Sequence, residues 1–284
     1  MSNINTIFVS AFITKLNKRS DRNINDYIFY GKKLINNKYN NSIQILFIEK
    51  EIFNEYLNEY NNLETIHLLE YCIVDSVKIF EYIIHDNIIF VFFEKEDIYL
   101  YNYQDKITNF NINTDNNDKD TLDYMFVQCH KTEWVKIAIE LIKQQQKNLI
   151  NLNHDLEFLW VDFGIYHMIN NDDIFYEGIG NLVKRIDLNK HMEIRIPGCW
   201  DTNINYYIDV YRNITWYFAG SIFGGPANKL IEFSNLMKEK CLQVIHDKNT
   251  LMWEVNVWYL IFLEHPELFD IYYGGHDTSI IINY

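Results

Sequence analysis

The chain has 284 residues, of which 48% are hydrophobic, 16% aromatic and 23% charged, with a formal net charge of −14 at pH 7. That length and apolar content support one large domain with a substantial core and exclude a disordered chain. The acidic balance disfavours a nucleic-acid binder, whose electrostatic footprint is basic.

Ile7–Ile13 is an apolar run of strand length, and Asp26–Tyr39 follows with Tyr27, Tyr30 and Leu34 at helical spacing. Ser42–Ile48 reads as a second strand and Ile52–Tyr60 as a second helix. Between Lys78 and Tyr103, three β-rich runs (KIFEYII, NIIFVFFE, DIYLYNY) are separated by His85-Asp86-Asn87 and Lys95-Glu96-Asp97. They predict antiparallel hairpins inserted at about 78–112. The Asn-rich stretch Asn109–Asp120 reads as a solvated loop between two halves. Thr132 is placed to cap a helix that carries Trp134, Ile137, Ala138 and Leu141 on one face. Leu156–Val161 is a buried strand ending at Asp162, and Thr215–Phe223 is another, with Pro226 at the first position of the next helix. Leu230, Phe233, Met237, Cys241 and Val244 form that helix's stripe, and a last helix spans about Leu251–Leu263, stopping before Pro266. The alternation predicts an α/β fold with a mixed, mostly parallel central sheet covered on both faces.

The longest apolar runs, such as Ile88–Phe93, fall far below the roughly 20 residues of a membrane helix. Met1–Thr6 lacks a cationic leader, and Cys72, Cys129, Cys199 and Cys241 form no C-x-x-C pair. The expectation is a soluble, cytoplasmic protein (host cytoplasm if the source is a virus) with no signal peptide and no membrane span. Nine of the ten glycines and all six tryptophans follow Cys129, so tight turns and stacking surfaces concentrate in the second half.

Four places offer chemistry. Lys15, Lys18, Arg19 and Arg22 put four cations in eight residues after the first strand, where α/β sheets bind ligands. Arg19 and Arg22 suit a phosphate, although a solvated charge run has the same composition. Gln128-Cys129-His130-Lys131-Thr132 falls at a helix start, where an anion is favoured and Lys131 adds charge, while Cys129 reads as structural. Asp162 closes a very apolar strand, so it either caps a turn or serves as an oxygen ligand for magnesium or manganese. The fourth place runs from Phe218–Pro226 through Trp253-Glu254-Val255-Asn256 to His276-Asp277. Gly220, Gly224 and Gly225 allow close backbone approach, and Glu254 and Asn256 lie among tryptophans, a pattern that holds sugars or merely fills a core. His276-Asp277 is a metal-ligand candidate or a plain turn.

The ordered segments VSAF, LWVDFGI, AGSIFGG and ELFDIYYGG…SIIINY resemble the HtrL/YibB family, over most of the chain and least over Leu68–Asp120. That family is regarded as glycosyltransferases related to the nucleotide-sugar GT-A fold. The resemblance implies one GT-A-like domain over residues 1–284, with a nucleotide-binding half at 1–130 and a metal and acceptor half at 131–284. Ser10, Arg19, Arg22, Lys131, Asp162, Gly220 and Ser221 would hold a nucleotide-sugar donor, a UDP-hexose first. Asp162 stands at the first acid of the family's metal motif, with Gly164 in the second acid's place. His276 and Asp277 would complete the shell of a divalent cation, with manganese expected over magnesium. Glu254, with Asp162, would be catalytic, Glu254 taking the proton of a glycan or protein-linked hydroxyl acceptor. A homodimer is compatible with this reading. The rival readings are a non-catalytic carbohydrate-binding protein on a decayed transferase scaffold and a glycoside hydrolase using Asp162 and Glu254.

Overall fold

The computed structural model describes residues 4–16, 19–36, 42–61, 65–73, 76–145, 152–169, 182, 192–202 and 208–284. The opening apolar run forms β1 (Ile4–Phe12), followed by α1 (Ile24–Asn36), β2 (Ser42–Ile48) and α2 (Lys50–Tyr56). A meander of β3 (His67–Ile73), β4 (Ser76–His85) and β5 (Ile88–Phe92) comes next. Then follow α3 (Leu122–Cys129), α4 (Lys131–Gln145), β6 (Leu152–Val161), β7 (Ile194–Gly198) and β8 (Ile222–Pro226). The chain closes with α5 (Ala227–Lys248), α6 (Glu254–Glu264), β9 (Phe269–Tyr273) and α7 (Ser279–Ile282).

The described strands make one sheet in the order β3-β4-β5-β2-β1-β6-β8-β7-β9, which runs through both halves of the chain. The fold is α/β with both faces covered, because side chains alternate across each strand. Ile7 and Val9 of β1 enter a core with α4, α5 and α6, while Phe8 and Phe12 point to the face shared with α1 and α2. Among the described residues no helix is long and apolar enough to cross a membrane.

Several local expectations need correction. The sheet is evenly mixed rather than mostly parallel: four of its pairings are parallel and four antiparallel. The expected antiparallel hairpin is present as β4–β5, but β3 extends the insertion to before residue 78, and β5 also joins the frame in parallel with β2. Asp86 makes the β4–β5 turn with a left-handed φ of 53°, a conformation its short polar side chain tolerates. The third β-rich run is no strand; Tyr99–Lys106 winds into a 3-10 helix that buries Tyr99 and Leu100. Thr132 lies inside α4 and is buried; Thr121 caps α3 instead, accepting the Tyr124 N–H at 3.2 Å. The strand expected at Thr215–Phe223 begins only at Ile222 and runs through Gly224 and Gly225 into Pro226, the residue that caps α5.

α3 and α4 meet at His130, whose ring packs among Phe93, Tyr99 and Trp134. Both ring nitrogens are buried without a hydrogen-bond partner. Burial, aided by the Lys238 ammonium and opposed by Glu133, lowers its pKa from 6.5 to about 3. From pH 6.5 down to about 3, the unfolded chain takes up a proton that folded His130 refuses, so stability must fall as pH falls. Urea denaturation between pH 7 and pH 4 should show this decline, and His130→Phe should flatten it while retaining aromatic packing. An unchanged slope would remove His130 from the cause.

Candidate functional site

The winding direction of the sheet reverses at β1, which has β2 on one side and β6 on the other. In open α/β sheets ligands bind outside the carboxyl ends of the strands at such a reversal. At this end of the molecule, the loop after β1, the turn after β6, the approach to β8 and the segment after β9 border one cleft. A second, smaller compartment lies over Ala11, Phe12 and Ile13 at the end of β1. The two share Arg19, Arg22, Tyr124, Gln128, Lys131, Asp162 and His167.

Lys131 stands at the centre. Its Nζ donates to the Gly220 carbonyl at 2.9 Å and to Glu254 Oε1 at 3.1 Å, and lies 3.1 Å from Asp162 Oδ1. Three elements supply these partners for separate local reasons. Asp162 continues the β6 ladder, its N–H donating to the Ser221 carbonyl at 2.9 Å, which sets Gly220 beside the ammonium. Glu254 opens α6, where unpaired N–H groups favour a carboxylate. Lys131 opens α4, whose first turn is buried throughout. A Cβ on Gly220 would come within 2.3 Å of Glu254 Oε1, so the close approach needs glycine.

The side chains of Lys131 and Glu254 are each 4% exposed, and that of Asp162 is 34% exposed. Burial alone would lower the lysine's pKa; Asp162 and Glu254 outweigh it and hold the ammonium above its ordinary value. The Trp160 indole N–H donates to Asp162 Oδ1 at 2.8 Å and fixes that carboxylate. Glu254 Oε2 is buried with no hydrogen-bond partner, an acceptor left without a donor.

Arg19, Arg22, Lys131, Asp162, Gly220, Ser221, Glu254 and His276 all line the cleft. Ser10 does not: its hydroxyl donates to the Val161 carbonyl at 2.6 Å inside the sheet, tying β1 to β6. Asp277 does not line it either; its Oδ1 accepts the Ser279 N–H at 2.8 Å before α7. Lys18 lies outside the described residues, and Lys15 pairs with Glu94 at 2.7 Å instead. Asn256 is structural, accepting from Thr215 and donating to the Val210 and Asn213 carbonyls. Lys131 serves no open helix start, because α3 runs up to that junction and His130–Glu133 are buried.

Lys119, Tyr124, His167 and Trp216 also line the cleft and were missed. Lys119 belongs to the stretch read as a solvated loop. That stretch is pinned instead: Asp118 accepts from the N–H and hydroxyl of Ser20, and the Asn113 N–H donates to the Arg212 carbonyl at 3.1 Å.

The donor set does not suit a resident divalent ion. Among the described residues no three histidine, cysteine or carboxylate side chains converge to hold one. The place between the two cleft carboxylates is taken by the Lys131 ammonium. His276 Nδ1 lies 2.8 Å from Met168 Sδ. A side chain on Gly164, where a second acid is expected, would start 3.0 Å from the Tyr27 ring.

No family model matches the chain, and no curated protein does.

Removing one member of a buried ion pair strands the other, at a cost of about 3–5 kcal/mol. Lys131→Ala should therefore destabilise the fold by that order in urea denaturation, leaving Glu254 unpaired. Lys131→Met combined with Glu254→Gln should recover much of the loss. Equal stability of Lys131→Ala and the wild type would refute the buried pair.

Proposed function

We propose that the chain is a GT-A-like glycosyltransferase that moves a sugar from a nucleotide-diphosphate donor to a hydroxyl acceptor. The observation that carries this reading is the cleft itself: two compartments at a topological switch point meet at the cations Arg19, Arg22 and Lys131, with an unpartnered carboxylate oxygen beside them. Such a shape suits a ligand with an anionic middle and two uncharged ends. The compartment over β1, lined by Phe12, Tyr27 and Phe163, suits a nucleoside; the larger one, with Trp216 and Trp253, offers apolar faces for a pyranose. The resemblance to the HtrL/YibB family and the alternation of the fold support the same reading, with UDP-glucose and UDP-galactose as the first donors to test.

In a direct displacement the acceptor hydroxyl oxygen bonds to the anomeric carbon as the bond from that carbon to the diphosphate breaks. The electron pair leaves with the diphosphate, where Arg19, Arg22 and Lys119 stabilise the developing charge. The hydroxyl proton passes to Glu254 Oε2, while Oε1 stays on Lys131. This division of roles disfavours the two-carboxylate hydrolase. Lys131 donates to both Asp162 and Glu254, so both act as acceptors and neither is set to protonate a leaving group.

A screen of nucleotide sugars for transfer or donor hydrolysis tests the reading. Glu254→Gln should lower turnover by about 10²–10⁴-fold, the usual worth of a general base, with UDP affinity nearly unchanged. Full turnover in a folded Glu254→Gln variant would remove it as the base. Sugar binding with neither UDP binding nor turnover of any donor would favour the non-catalytic carbohydrate-binding scaffold.

A further inference from the structure

We propose that this cleft neutralises the donor's diphosphate with the chain's own outer cations, Arg19, Arg22 and Lys119, and requires no divalent metal. The proposal rests on the reading of the ligand as a nucleoside diphosphate and departs from the manganese expected of the resemblance.

The argument begins with charge. Arg19 is paired in fork geometry with Asp21, and Lys131 with Asp162 and Glu254. Arg22 and Lys119 face the same cleft, and among the described residues neither has a carboxylate within ion-pair distance. Arg22 lies instead 5.9 Å from the centre of the Tyr27 ring. Lys119 is only partly exposed, and its pKa is lowered by burial and by the positive charges of Arg19 and Arg22, against a smaller opposing pull from Asp21 and Glu254. Arg19 has Asp21, but Arg22 and Lys119 beside it repel one another and are partly desolvated, an arrangement that an anion bound in the cleft would relieve. An ordinary solvated charge run would not be built into a cleft, nor would its loop be anchored. Here Asp118, the neighbour of Lys119, accepts from the backbone N–H of Ser20 at 2.8 Å, which ties the two cationic loops together.

The second part concerns the place a metal would need. A diphosphate-bridging cation must reach Asp162, yet Asp162 already accepts from the Trp160 indole and lies against the Lys131 ammonium. Lys131 occupies that place, its three N–H donors taken by Gly220, Asp162 and Glu254, and leaves the outer cations to meet the phosphates. Guanidinium and ammonium groups aimed at the phosphate oxygens supply the same electrostatic stabilisation that a metal supplies elsewhere.

Calorimetric titration of UDP, and separately of inorganic diphosphate, into the protein in EDTA and then in manganese tests this. The expected result is the same UDP affinity in both buffers, with binding that weakens steeply as salt rises. Lys119→Ala and Arg22→Ala should each weaken UDP by at least about tenfold in both buffers, the worth of a charge-assisted contact, and Lys119→Arg should restore most of it. Circular dichroism of each variant checks that it is folded. UDP binding that appears only with manganese would overturn the inference and leave the donor reading intact. Unchanged affinity in folded Lys119→Ala and Arg22→Ala would overturn it as well. Failure of both UDP and diphosphate to bind in either buffer would overturn this inference together with the donor reading.

Discussion

A lysine ammonium enters a protein interior at a large desolvation cost, and it stays charged only where anions or carbonyl oxygens surround it. Lys131 meets that condition with one carboxylate from the end of β6, one from the start of α6 and one carbonyl from the turn before β8. These elements lie far apart in sequence, and the ammonium fixes the positions of all three at the carboxyl end of the sheet. The same contact consumes one oxygen of Glu254 and leaves the other buried and unpartnered. Burial of the pair thus connects the packing of α4 and α6 to a buried acceptor beside the cleft with no donor of its own.

Around that centre the cleft is organised by sign of charge. Asp162 and Glu254 are drawn to Lys131, while Arg19, Arg22 and Lys119 approach from two loops on the other side. A polyanion placed between them would relieve the repulsion among the outer cations without displacing the inner pair. The aromatic linings of the two compartments then leave uncharged parts of a ligand to either side. This arrangement makes binding and chemistry separable, with the outer cations governing affinity and Glu254 governing proton transfer.

Much of this was legible in the residues, for physical reasons. Short apolar runs such as SIQILFI have few fates besides a buried strand, and the 3.6-residue stripe of α5 declares its own face. Arg19, Arg22, Asp162, Gly220 and Glu254 reach the cleft because they flank such strands and helices at one end. The run DIYLYNY was misleading because β-branched and aromatic composition also suits a 3-10 segment that buries Tyr99 and Leu100. Lys119 was hidden by asparagine-rich surroundings whose anchoring contacts are with Ser20 and Arg212, far away in sequence. The role of Lys131 was unreadable for a related reason: nothing local predicts that α3 fills the helix start or that Glu254 and Asp162 converge there. Ser10 and Asp277 failed as site residues because their side chains are used by the backbone of β6 and α7.

The most direct test of this account is a crystal structure of the protein grown with UDP in the presence of a chelator. It should show the diphosphate oxygens within hydrogen-bond reach of Arg19, Arg22 and Lys119, with Lys131 Nζ still bridging Asp162 and Glu254. A nucleotide bound elsewhere, or Lys131 turned away from the two carboxylates, would contradict it.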